Sequence, residues 1–92
     1  MLHLILNSPF QSQALAEALA YLQPEDHVVL MQDAVIAAAA PSWSERLAAI
    51  QLYVMAEDLQ ARGLSSRVGT VVDMAGLVAL IAENGSPRTW PG

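Results

Sequence analysis

The sequence of 92 residues contains no cysteine, which excludes disulfides, thiolate metal sites and cysteine nucleophiles. It contains no lysine either, so nine Asp and Glu face four Arg and the formal net charge is −5. Arg46, Arg62, Arg67 and Arg88 are scattered singly. Phosphate-backbone contact relies on clustered cations, and direct nucleic-acid binding is therefore not expected. Missing too is any apolar run near the roughly 20 residues of a spanning helix. The longest starts at Ala34, is alanine-rich and stops at Pro41. No basic region precedes the short apolar run at the N-terminus, which argues against a secretory signal. Gly63, Gly69, Gly76 and Gly85 follow no phosphate-cradle spacing. The chain reads as soluble and cytoplasmic, with no membrane partner.

What is present is apolar. Hydrophobic residues make up 54% and charged residues 14%, a high apolar share for a soluble protein whose small size demands a polar surface. Some apolar surface is expected to lie against a partner chain, or against further copies when the chain is isolated. The length fits one domain over residues 1–92, with no room for a second core.

Strand and helix signals alternate along the chain. Leu2 to Leu6 is a nearly continuous apolar run, as in a strand buried on both faces. Asn7-Ser8-Pro9 then reads as a helix start, with Ser8 as N-cap and Pro9 at the first helical position. Ala14, Leu15, Ala18, Leu19 and Leu22 recur at helical spacing within a predicted helix from Phe10 to Leu22. The stretch 23–26 is the turn that ends it, and 28–31 the second strand. Asp33 is placed as the N-cap of a short helix over 34–40 that Pro41 closes, and 42–49 as a loop or helical turn. A third strand spans 50–55 and a short helix 57–63, with acids at its positive end, Arg62 at its negative end and Gly63 as a left-handed stop. A weak strand at 68–72, a last helix at 73–84 and an irregular tail at 86–92 complete the pattern. The alternation implies an α/β sandwich around a mostly parallel sheet of about four strands.

Few side chains suggest chemistry. His3 and His27 fall on adjacent predicted strands, but with no third ligand at useful spacing structural roles are favoured over a metal pair. Asp33 lies at a strand's carboxyl end, where α/β enzymes place acids; without a neighbouring base or nucleophile it reads first as a cap. Ser8 lacks a glycine-flanked elbow and reads the same way. No catalytic, cofactor or metal residue is assigned. Trp43, Trp90 and Tyr53 are candidate interface anchors. For Tyr53, inside a strand, core burial is at least as good a reading. Trp90, beyond the last helix between Pro87 and Pro91, is expected to dock on a partner because the chain has little left to cover it. The alanines from Ala37 to Ala40 permit close approach of another backbone, or ordinary packing on the sheet.

Five segments in order carry a resemblance: Met1-Leu2-His3 through Asn7-Ser8-Pro9-Phe10; Leu30-Met31-Gln32-Asp33-Ala34-Val35; Tyr53 to Leu59; Ala61-Arg62-Gly63-Leu64; and Val71 to Val78, with Thr89-Trp90 at the end. Together they resemble the TusB/DsrH family of sulfur-relay subunits. The resemblance implies a DsrE/DsrH-like three-layer α/β sandwich. It also implies a supporting subunit of a TusBCD-like assembly, joined by TusC-like and TusD-like chains, the latter supplying the active cysteine. Such a complex passes sulfur toward a TusE-like acceptor for 2-thiolation of the tRNA wobble uridine, and Asp33, Trp43 and Trp90 become candidate interface or acceptor-docking residues. Two departures matter. Ala34 stands where the family often has glycine, so the turn cannot depend on a strongly positive φ there. Ala18 stands where some members carry a cysteine, and a persulfide needs a thiolate sulfur to hold it. The main rival is a binding module or homo-oligomer that shares only the fold; a small hydrolase using Asp33 and a histidine would need one polar pocket containing both.

Overall fold

The computed structural model describes residues 1–90; the end of the expected irregular tail, 91–92, lies outside the described residues. Five strands form one all-parallel sheet in the order β4-β3-β2-β1-β5: β1 is Leu2–Ile5, β2 His27–Leu30, β3 Gln51–Met55, β4 Thr70–Val72 and β5 Arg88–Trp90. The helices are α1 (Ala14–Tyr21), α2 (Ile36–Ala39), α3 (Pro41–Ala48), α4 (Ala56–Ala61) and α5 (Met74–Asn84), with a single 3₁₀ turn at Gln32–Val35 before α2.

Handedness sorts these helices into layers. The chain steps in one direction from β1 to β4, so right-handed crossovers put α1 to α4 on one side of the sheet. The last crossover runs back across the whole sheet to β5, and α5 must then lie on the other side. The two cores agree with this. Leu15 and Ala18 of α1, Leu47 of α3 and Leu59 of α4 pack with Ile5, Val28, Leu30, Leu52, Val54 and Trp90. Opposite them, Leu77 and Leu80 of α5 pack with Leu2, Val29 and Met55. The result is the expected three-layer α/β sandwich, with five strands rather than about four.

The fifth strand corrects the irregular tail. Flanked by Pro87 and Pro91 and only three residues long, it carries no alternating pattern, yet it pairs with β1 through His3 with Arg88, Leu4 with Thr89 and Ile5 with Trp90. Its anchor is Trp90, only 5% exposed and covered by the chain itself. That overturns the premise for Trp90 as a partner-docking residue. The indole Nε1–H donates to His3 Nδ1 at 3.0 Å. An indole can only donate, so Nδ1 must accept and the ring proton sits on Nε2. Nε2 in turn donates to Asp26 Oδ2 at 3.0 Å, and the Met1 ammonium donates to Asp26 Oδ1 at 2.9 Å. The Met1 ammonium first, and His3 second, hold the Asp26 carboxyl far below the usual carboxylate range, against the opposing effect of burial.

Other boundaries shift for local reasons. Ser8 does not cap a helix at Pro9. Its hydroxyl accepts from the Phe10 N–H and its carbonyl from those of Gln11 and Ser12, closing a turn, and α1 begins only at Ala14. Pro41 opens α3 instead of merely closing the preceding helix, because its missing N–H costs nothing at a first helical position. The stretch taken as a loop or turn is thus a helix of eight residues. Gly63 does stop α4, at φ +63°, with the Leu64 N–H bonded to the Leu59 carbonyl and the Gly63 N–H to that of Gln60.

Two stability outcomes follow from the buried chain. Trp90→Ala is expected to cost about 3–5 kcal/mol of folding stability, read by urea denaturation, with Trp90→Phe costing clearly less. Asp26→Asn removes the negative charge that faces the Met1 ammonium and leaves one acceptor oxygen in place of two, and should cost about 2 kcal/mol near neutral pH. A depressed folded pKa stabilises above the unfolded value of about 4 and that contribution is lost as pH falls through the folded pKa. The gap between wild type and Asp26→Asn should therefore narrow below about pH 4; a constant gap would show that the carboxylate charge is not what matters.

Candidate functional site

Ligands of open α/β sheets bind at the carboxyl ends of the strands, where neighbouring connections leave to opposite faces. Here that point lies between β3 and β4, since α4 and α5 lie on different sides. It is already filled. Glu57 Oε2 accepts from the Met74 N–H at 3.2 Å, and Asp73 Oδ1 caps α5 through the Gly76 N–H at 2.9 Å. The opening is displaced along the same edge, to a shallow depression of about 360 Å³ lined by Ser8, Gln11, Asp33, Ile36, Arg62 and Leu64.

Asp33 lies in the 3₁₀ turn after β2, not at its cap; Met31 holds that position, and no side chain caps the turn. The carboxylate meets Arg62 instead. Arg62 Nη2 and Nε donate to Asp33 Oδ1 at 2.9 and 3.1 Å, while Nη1 donates to the Asp58 carbonyl at 3.1 Å. Parallel neighbours β2 and β3 bring the segments following them side by side, which unites residues 29 apart in sequence. Arg62 also sits at the end of α4 where a cation suits the dipole, so the expected role is kept and a second one added. Asp33 is 63% exposed, so solvent weakens the pair.

Gln32, just before Asp33, takes a left-handed backbone at φ +49°. For a residue with a Cβ this costs about 1 kcal/mol. The positive φ of this turn therefore sits two residues before Ala34, which itself needs none. Away from this edge, just before the amino end of β4, Gly69 at φ +79° comes so close to Leu52 that an added Cβ would lie 2.9 Å from its side chain.

The remaining candidates do not converge here. Trp43 is half-buried on α3 against the helix-layer core, with the Arg46 guanidinium 4.5 Å from its ring centroid. Trp90 is at the β5 edge. His3 and His27 lie on opposite faces of the sheet, because His3 registers with Val28 while Leu2 registers with His27. Among the described residues no group of three His, Asp or Glu stands ready to hold a metal. His27 instead stacks on Tyr53, ring centroids 5.7 Å apart. Neither histidine lines the depression, so the hydrolase pairing with Asp33 has no geometry. The Ser8 hydroxyl is occupied as an acceptor. Ala18 is fully buried under α1. What remains is a rim on which Asp33 and Arg62 are paired beside the apolar Ile36 and Leu64.

Comparison with known proteins gives consistent results. Residues 7–86 match the family described as DsrH like protein. Protein TusB of Erwinia tasmaniensis is 40% identical, over 98% of this chain and 100% of the relative. Protein TusB of Escherichia coli O1:K1 is 34% identical over the same shares. No described helix is long and apolar enough to cross a membrane.

Asp33→Asn is expected to change folding stability by no more than about 1 kcal/mol, as for other exposed ion pairs. Gln32→Gly should be neutral or stabilising by up to about 1 kcal/mol, and Gln32→Val destabilising, since only the glycine relieves the left-handed backbone. Thermal or urea melts of the three variants check both statements.

Proposed function

The chain belongs to the DsrH family, and from that premise we propose that it is a non-catalytic subunit of a sulfur-relay complex. The observation that carries this reading is full-length similarity to TusB proteins in a chain without a single thiol. Persulfide transfer passes the outer sulfur from one thiolate to another and needs a thiolate on each side. This chain offers none, so the sulfur travels on its partners. TusC-like and TusD-like subunits are those partners, the TusD-like chain bearing the reactive cysteine and a TusE-like protein accepting the sulfur. The pathway served is 2-thiolation of the tRNA wobble uridine, in the cytoplasm. The tRNA is not bound by this acidic surface.

The depression at Asp33 and Arg62 supports a docking role, because its charges are already paired with each other and its walls hold no free nucleophile. Asp33 and Trp43 are the contacts proposed for partner or acceptor; Trp90 serves the fold.

Co-expression with the TusC-like and TusD-like chains should yield a stable complex. When that complex is incubated with a labelled persulfide donor and its subunits are separated, label is expected on the TusD-like chain and none on this one. Thiolation should fail without this chain. Label stable on this chain, or full thiolation in its absence, would sink the proposal; so would a chain that joins neither partner, which would favour an independent binding module.

A further inference from the structure

The helix α5 has eleven residues and a single charge, Glu83. A helix with one face on a sheet and the other in water normally turns polar residues outward. This one does not. Leu77 and Leu80 face the sheet, while Ala75, Val78, Ala79 and Ala82 lie outward with Met74 on the shoulder. Val78 is 60% exposed and Met74 53%. Among the described residues α5 is the only helix in its layer, so no other helix of the chain covers this face.

Charge decides what fits there. Asp73 and Glu57 stand at the first turn of α5 and Glu83 near its last, about 15 Å apart along the axis. A complementary surface is apolar with a cation at either end. A second copy that meets it through its own α5 has none to offer there, because its arginines sit on or beside the opposite layer: Arg46 over Trp43, Arg62 on Asp33, Arg88 over Trp90, and Arg67 on a loop whose backbone N–H bonds to the Ala38 carbonyl. Two α5 helices meeting antiparallel about a two-fold axis would set Glu83 against Asp73 and Glu57. Meeting parallel, they would set each acid against its own kind.

We infer that the outer face of α5 docks a chain of different sequence, one presenting an apolar strip bracketed by Lys or Arg. This deepens the hetero-oligomer reading above, on which it rests for its biological setting. The test uses a synthetic helical peptide with a Leu/Ala stripe flanked by arginines about 15 Å apart, and a twin with glutamates in their place. Each is titrated into the isotope-labelled full chain and followed by backbone amide NMR. Expected are shifts at Met74, Val78, Ala79 and Ala82, roughly tenfold weaker affinity for the glutamate twin, and loss of the shifts in Val78→Asp with the remaining spectrum preserved. Should Val78→Asp not fold, Ala79→Glu takes its place. Absence of shifts, shifts elsewhere, equal binding of the two peptides, or binding indifferent to the substitution overturns the inference. So do α5 shifts that grow with the concentration of the chain alone, since the occupant is then a second copy. The peptide contains no relay subunit, so its failure leaves the sulfur-relay reading standing, and a failed co-expression leaves the peptide result standing.

Discussion

The indole of Trp90, the ring of His3 and the carboxylate of Asp26 form one buried line of hydrogen bonds that ends on the Met1 ammonium. The layout of the molecule follows from where that line holds β5. A strand of three residues makes few ladder bonds and cannot secure itself at an edge. The indole adds buried area and a directed bond, and fixes β5 beside β1. Once β5 is there, the crossover from β4 must traverse the sheet, and its right-handed sense places α5 alone on the far side. A single aromatic near the C-terminus thus determines which helix stands by itself.

The two layers consequently differ in kind. Four helices crowd one face and fill it with small and branched side chains from α1, the 3₁₀ turn and α2. One helix serves the other face, whose five buried core residues include only Leu77 and Leu80 from α5. The high apolar share of the sequence is therefore unevenly spent: the crowded face uses it internally, and α5 keeps a surplus on its outside. That surplus, and not the tryptophan near the C-terminus, is where the apolar composition reaches the surface.

At the carboxyl edge of the sheet, electrostatics closes what topology opens. Glu57 and Asp73 satisfy backbone N–H groups at the start of α5, and Arg62 is shared between Asp33 and the end of α4. Asp33 and Arg62 are paired with each other there, beside the apolar Ile36 and Leu64.

Much was legible in the residues. Apolar runs gave β1, β2 and β3, Gly63 and Asp73 marked a stop and a start that the structure keeps, and the missing cysteine settled the absence of thiol chemistry. These are local matters, decided by side-chain periodicity, backbone freedom and the presence of an atom. The α3 helix and the late start of α1 were less legible, because Pro41 and Ser8 each fit two local structures of similar energy. Beyond reach were the pairing of β5 with β1, the burial of Trp90, the meeting of Asp33 with Arg62 and the opposite facing of His3 and His27. Each depends on strand order and register, which bring together residues 29 to 87 positions apart. Sequence determined which segments form strands and helices and what chemistry they lack; tertiary structure alone decided which side chains share a face, because that is fixed by the handed return of the chain across the sheet.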